Sequence, residues 1–265
     1  MQKVKFFTVA VAVVGTLLGG ATARAGDTIK PIDSCGILSA QDQSSYVLVQ
    51  SIQAQTFDCL VIASSNITID MNGFSIQGFG GGTGILATVP VEGIKIRNGF
   101  VRNFAVGIVL GGTGNVVENV HVTNNTDTGM ILGASSLVDH VVAQANNKYG
   151  IVMTAAATIK NSTLRANGNN PASVGLSVGP GSTVTGNTIW ASVGLGLFAS
   201  LGSTVIGNTV FDSNPGFGAT VLCPSNVQDN TVTGNTGGDL CLSGIGCKGV
   251  DNVAPLNFPI ELCPQ

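Results

Sequence analysis

The phrase "STVTGNTIW" beginning at Ser182 returns as "STVIGNTVF" at Ser203. Self-similarity at a fixed short period is the mark of a repeated structural unit, and it constrains the fold more than any single motif. Extending the phrase in both directions gives an apolar residue opening each lap: Ile96, Val117, Val138, Ile159, Val184, Val205 and Val227. A second apolar column follows five positions later at Val101, Val122, Ala143, Leu164, Ile189, Val210 and Val232. A third phrase, x-Gly-apolar-x-apolar, runs from "TGILA" and "VGIVL" to "FGATV", with its glycines at Gly84, Gly107, Gly129, Gly150, Gly175, Gly196 and Gly218. β-Branched residues alternate at period two, and no segment after Gly26 sustains a 3.6-residue period with helix caps. A lap is therefore expected to hold several short strands joined by turns. A leucine-rich repeat of similar period is the weaker fit, because its L-x-x-L-x-L-x-x-N phrase is missing.

These coils resemble the right-handed parallel β-helix proteins of the pectate-lyase-like superfamily. The resemblance rests on "GIVL…VENVHV…N", on "STVIGNTVF" and on the lead-in "NITIDMNGFSIQG" from Asn66 to Gly78. It covers roughly Asp58 to Leu242 and implies an all-β, single-stranded right-handed parallel β-helix of about 8–9 coils with disulfide-bonded caps. One fold hosts many activities, so the resemblance implies little about chemistry. Family motifs mostly fail residue by residue. Asn125-Thr126-Asp127 resembles the Asn-Thr-Asp of polygalacturonases without the rest of that family's set. Asp139-His140 resembles the Asp-His of pectate lyases without its tryptophan context.

The ends read as processing and capping segments. Lys3 and Lys5 precede an apolar run from Phe6 to Leu18, and Ala23-Arg24-Ala25 is a small-x-small cleavage site, so residues 1–25 are expected to be a secretory signal peptide. The run is too short to span a bilayer, and no transmembrane segment is expected. An N-terminal cap over 26–57, a β-helix over 58–242 and a C-terminal cap or tail over 243–265 complete the expected organisation, on an exported chain found outside the cell, in the periplasm or on the cell surface. Six cysteines without CxxC spacing suit disulfides in such a chain. Cys35 with Cys59 is the closed N-terminal pair. The four C-terminal cysteines allow three pairings, of which Cys223–Cys247 and Cys241–Cys263 are preferred, since each spans about one lap.

Charge is scarce: 9% of the residues are charged, against roughly a quarter in an ordinary globular domain. The 14 acidic residues outnumber the 11 basic ones, three of which (Lys3, Lys5, Arg24) lie in the leader, so nucleic acid is not an expected partner. Asn98, Asn119, His140, Asn161, Asn187, Asn208 and Asn230 follow the openers by two or three positions and are expected to stack as one asparagine ladder, with His140 substituting a ring nitrogen.

Two faces are candidates for function. After each opener stand Asp70, Arg97, Glu118, Asp139 and Lys160, five ionisable groups on consecutive coils. Glu118 and Asp139 one strand spacing apart would raise one carboxyl pKa and offer a proton donor beside a base, with Arg97 and Lys160 holding an acidic sugar. The alternative is a solvated ladder of ion pairs. No cofactor or metal is expected; Ca2+ on Asp70, Glu118 and Asp139 is disfavoured by the intervening Arg97. Six positions after the openers, Arg165, Trp190 and Phe211 fall outward beside a threonine row (Thr163, Thr188, Thr209, Thr231) and suit stacked sugar rings. A third, apolar stripe of Leu86, Val109, Ile131 and Val152 needs cover, either from the tail residues Leu256, Phe258, Ile260 and Leu262 or from a second copy of the chain. The expected function is a secreted β-helix that binds polysaccharide or a cell-surface glycan as a scaffold, without strong catalysis. The alternative is a polysaccharide lyase, glycoside hydrolase or epimerase acting on acidic glycans through the Arg97, Glu118, Asp139, Lys160 face.

Overall fold

The computed structural model describes residues 29–39, 44–55, 57–87, 91–255 and 257–258. The expected signal peptide lies outside the described residues. Among these residues there is no helix, and the strands form an 18-stranded and a 12-stranded sheet whose pairings are parallel. One coil contains Leu137–Asp139, Val142–Gln144 and Tyr149–Met153; the next lays Thr158–Lys160, Thr163–Arg165 and Val174–Val178 directly onto them. The first and second strands of each coil share one sheet because they run together as Lys95–Arg102 and Val116–Thr123 in two coils. This is the expected right-handed parallel β-helix, the hand that parallel crossovers almost always take.

The short strands follow from the alternation. A three-residue strand such as Thr-Ile-Lys at 158–160 points one side chain inward and two outward. The opener column stacks Val117 on Val138, Ile159, Val184, Val205 and Val227, all at most 1% exposed. Each such side chain removed from water contributes roughly 1.5–3 kcal/mol before ordering costs.

Parallel pairing begins earlier than the expected boundary at residue 58. Ile29–Ile32 pairs with Ser45–Leu48, and Gly36–Leu38 pairs with Leu60–Ile62. At the other end Lys248–Val250 lies on Asn226–Gln228. Cys35–Cys59 and Cys223–Cys247 are formed, each with a sequence separation of 24. Cys35 and Cys59 immediately precede the register partners Gly36 and Leu60, so this staple joins equivalent points on consecutive coils. Cys241 is also disulfide-bonded; the expected partner Cys263 lies outside the described residues.

The corners of the coils share a two-residue device: a residue with positive φ, then a residue turned inward. At the first corner the positive-φ residues are Asn98, Asn119, His140 and Asn161, replaced by Gly186 and Gly207 in later coils. Asparagine and glycine are the residues that tolerate this region most readily. The inward residue comes next: Val141 and Ser162, then Asn187, Asn208 and Asn230. The expected single ladder is thus two columns. Asn119, His140 and Asn161 are exposed, whereas Asn187, Asn208 and Asn230 are 1–2% exposed. The buried three form a true ladder continued by Asn252, with Nδ2 donating to the next Oδ1 at 3.0, 2.9 and 2.9 Å. His140 belongs to the exposed column and does not substitute for an amide.

A second ladder, not expected from the sequence, occupies the next corner. Asn125, Asn146 and Asn167 are fully buried, and their side chains bond in series at 2.8 and 3.0 Å. The glycine column makes room for it. A Cβ on Gly129 would lie 2.4 Å from the Gly150 carbonyl oxygen and 2.8 Å from Asn146 Nδ2; one on Gly150 would lie 2.4 Å from the Gly175 oxygen and 2.8 Å from Asn167 Nδ2. The glycines are required by close approach, not by backbone angle.

This second ladder is interrupted where Ser192 and Ser213 replace asparagine, and both buried hydroxyls lack a hydrogen-bond partner. Ser213 N–H donates to Asn235 Oδ1 at 2.9 Å, where the column resumes. The bare Cα of Gly175, whose added Cβ would meet Ser192 Oγ at 2.6 Å, opens the same kind of space that Asn167 fills one coil earlier. The double substitution Ser192→Asn and Ser213→Asn is expected to connect Asn167 to Asn235. At about 1 kcal/mol for each of the three new side-chain bonds, the melting temperature should rise by roughly 6–12 °C, as read by calorimetry. A fall in melting temperature would show that the corner cannot hold the larger side chains.

Candidate functional site

The first face is built from the outward position of each opening strand. Asp70, Arg97, Glu118, Asp139 and Lys160 are register partners in that order, as expected. Their charges are already matched. Arg97 Nε donates to Asp70 Oδ2 at 2.9 Å, and Asn98 Nδ2 donates to the other oxygen at 3.1 Å. Glu118 pairs with Lys95, from the coil before it, at 2.7 Å. Asp139 receives Lys160 at 3.3 Å, His140 Nδ1 at 2.7 Å and Asn161 Nδ2 at 3.0 Å.

The surroundings of Asp139 hold it toward its ionised form, so it is not the proton donor of the pair. Burial works against its charge, but hydrogen bonds from Asn161 and Lys160 and the nearby charges of His140 and Lys160 outweigh it, and its pKa lies below the ordinary carboxylate value. A carboxyl held ionised is a poor general acid at neutral pH. Glu118 and Asp139 are like charges in direct register, and neutralisation there comes from Lys95 on the coil before and Lys160 on the coil after.

The second face comes from the middle strand of each coil. Its two outward columns are separated by one inward residue. One column stacks Phe100, His121, Val142, Thr163, Thr188, Thr209 and Thr231. The other stacks Arg102, Thr123, Gln144, Arg165, Trp190, Phe211 and Thr233. The expected aromatic platform is assembled: the Trp190 and Phe211 rings are stacked at 5.8 Å between centroids with 3° between their planes. Arg165 lies over the Trp190 ring at 5.9 Å and donates to Gln144 Oε1. All three side chains are half-buried.

Sequence reasoning missed a second ring pair on this face. Phe100 is 40% exposed, and its ring lies 4.8 Å from that of His121, tilted by 43°. Burial, and then the charge of Arg165, push the His121 pKa below its usual value. The signal was present, because Phe100 and His121 lie two positions before Arg102 and Thr123 in the column already recognised as outward.

The third face stacks Leu86, Val109, Ile131 and Val152, each half-buried. The described part of the tail does not lie over it. Asn257 and Phe258 pair with Leu240 and Cys241 and extend the sheet as its next strand. Leu256, Ile260 and Leu262 lie outside the described residues.

Fold and faces together define a disulfide-stapled parallel β-helix with a charge-matched face, an aromatic face and an apolar face. The chain belongs to the family described as periplasmic copper-binding protein (NosD), whose model matches residues 61–237. Among solved structures it is similar to the Dettilon tailspike protein (gp208), at 15% identity and a TM-score of 0.55, over 86% of this chain and 61% of that one. It is also similar to the A-module of the mannuronan C-5 epimerase AlgE4 of Azotobacter vinelandii, at 12% identity and a TM-score of 0.53, over 81% of this chain and 80% of that one. At these identities the likeness is one of fold. The chain thus spans about 61% of the tailspike's length. No curated protein matches the chain.

The family's description implies copper, and the donors among the described residues do not fit it. Copper sites draw on imidazole, thiolate and thioether ligands gathered around one point. The chain has two histidines: His121 stacks on Phe100, and His140 is tied to Asp139 on the first face. Met71, Met130 and Met153 are sealed in the core at 0–2% exposure. Cys35, Cys59, Cys223, Cys241 and Cys247 are consumed in disulfides. Among the described residues no three of His, Cys, Asp and Glu group as a metal site.

Proposed function

We propose that this protein is an exported, polysaccharide-binding β-helix that holds sugar rings on the Trp190–Phe211 platform, with Arg165 and the adjoining threonines as polar partners, and without catalysis of its own. The single observation that carries this reading is the pair of parallel, stacked, half-buried rings flanked by a guanidinium. Aromatic faces give a sugar ring a flat apolar contact while neighbouring donors fix its orientation. The disulfides belong to an oxidising compartment, and the family's description points to the periplasm. A relative in fold is by name an epimerase of mannuronan, so this scaffold accommodates a polysaccharide elsewhere.

The competing reading places lyase, hydrolase or epimerase chemistry on Arg97, Glu118, Asp139 and Lys160. The ion pairs that already occupy these groups, and the lowered pKa of Asp139, favour the binding reading. One experiment separates them: titration against a panel of soluble polysaccharides, with product analysis on every ligand that binds. Trp190→Ala is expected to weaken binding by roughly tenfold to a hundredfold, the scale of a truncated aromatic anchor, while leaving the fold intact. Unchanged affinity in that variant would overturn the binding reading. So would turnover that disappears in both Glu118→Gln and Asp139→Asn.

A further inference from the structure

The aromatic face carries the same unit twice. At one end Phe100 and His121 are in ring contact with Arg102 two residues along the Phe100 strand, and at the other Trp190 and Phe211 stack beside Arg165. Four strand steps separate Phe100 from the Trp190 strand along the register Phe100, His121, Val142, Thr163, Thr188. At about 4.8 Å per step, the two platforms stand about 19 Å apart along the solenoid axis. The ground between them is made of Val142, Thr163, Thr123 and Gln144 in two columns, polar except for Val142.

Charge on this face is one-sided. In a chain where acidic residues outnumber basic ones, neither of the two outward columns of this face, from Ser75 and Gln77 to Thr231 and Thr233, contains an aspartate or glutamate. Among the described residues the ion pairs all lie on the neighbouring face, and neither Arg102 nor Arg165 joins one. Asp212 stands at the corner beyond Phe211, which confines the positive stretch to the span between the two arginines. A guanidinium without a carboxylate partner in its own protein is matched, bidentately, to a carboxylate brought by a ligand.

We infer that the second face is an extended site for a linear anionic polysaccharide running parallel to the solenoid axis, with one sugar ring on each aromatic platform and sugar carboxylates at Arg102 and Arg165. This rests on the proposed glycan binding at Trp190 and deepens it in two ways: it sets the ligand's charge, and it sets a minimum ligand length. A ligand that reaches both platforms gains the second contact as an intramolecular event, so affinity rises in a step once the chain is long enough.

The test is calorimetric titration of the full chain with 1,4-linked oligouronates of increasing length, beside the same oligomers with their carboxyls reduced to neutral sugars. The expected result is an affinity gain of roughly tenfold or more on reaching a length that spans about 19 Å. That gain should vanish in Phe100→Ala and in Arg102→Gln. Trp190→Ala should weaken short oligomers and remove the length step as well. Carboxyl-reduced oligomers should bind at least roughly tenfold more weakly than their parents at every length. Binding of short oligomers through Trp190 with no length step, or a step that survives in both Phe100→Ala and Arg102→Gln, would overturn the extended site while leaving the first platform standing. Equal affinity for charged and carboxyl-reduced oligomers would overturn the anionic assignment. Absence of binding by the parent protein would overturn both readings together.

Discussion

Gly150→Ala is expected to destabilise the solenoid by about 3 kcal/mol or more, at the upper end of what overpacking a tight site costs, and to lower the melting temperature by roughly 6–12 °C. The added Cβ would sit 2.4 Å from the Gly175 carbonyl oxygen and 2.8 Å from Asn167 Nδ2. Neither atom is the free end of a flexible side chain. The carbonyl belongs to the backbone of the next coil, and the amide is fixed by Asn146 and by the Ala143 carbonyl. Relief therefore requires parting two coils or breaking the ladder, and the strain is shared with Gly129 and Gly175, which make the same approach on either side. Gly111→Ala is the matched control, because nothing lies within 4 Å of its added Cβ; it should stay within about 0.5 kcal/mol of the parent. Thermal melts of the two variants decide the matter: similar losses in both would mean that the glycine column is not there to let coils approach.

That contrast also explains what the sequence disclosed and what it withheld. The period of the openers disclosed the solenoid, because an inward valine or isoleucine must recur once per coil for a continuous core to form. Outward columns were equally legible, since period-two alternation assigns every residue next to an opener to the surface; Asp70 through Lys160 and Arg165 through Phe211 stack as that rule requires. The corners were not legible in the same way. Asn161 and Asn187 share a residue type and nearly a spacing, yet one is a surface residue with φ of 50° and the other is 1% exposed. Spacing alone cannot separate them, because both the positive-φ position and the inward position select asparagine, for unrelated reasons. The ladder of Asn125, Asn146 and Asn167 recurs every 21 residues, four residues ahead of Gly129, Gly150 and, after the longer turn at 167–173, Gly175. The amide and glycine columns are two halves of one packing arrangement, so either predicts the other.

The candidate site divides along similar lines. A charge column reads as chemistry when its members are seen only as residue types, and as an ion-pair network once their partners are known. Lys95, which neutralises Glu118, lies one coil back and two residues before Arg97, a relation visible only with the coils stacked. The aromatic face shows the converse. Trp190 and Phe211 announced themselves by size, while Phe100 and His121 did not, although register places all four on the same face.

Asn208→Ala should be among the most damaging substitutions available in this protein, at about 3–5 kcal/mol, and Asn119→Ala should cost less than about 1 kcal/mol. Asn208 Nδ2 donates to Asn230 Oδ1 at 2.9 Å, to the Val184 carbonyl at 2.9 Å and to the Ile206 carbonyl at 3.1 Å. Its Oδ1 accepts from the backbone and side-chain nitrogens of Asn187, both at 3.0 Å. Truncation strands several of these groups in the core, where each unsatisfied polar group costs about 1–3 kcal/mol, and cuts a chain of polarised bonds at its centre. Asn119 contributes little beyond its tolerance of positive φ, and Ala145, Ala156, Ala166 and Ala191 already hold that conformation at other corners of this same chain. Chemical denaturation of the two variants measures the difference directly. Comparable losses would restore the single continuous ladder that the spacing of the asparagines first implies; a gap of several kcal/mol in the expected direction assigns the burial, and with it the stability of the second face's scaffold, to the inward column alone.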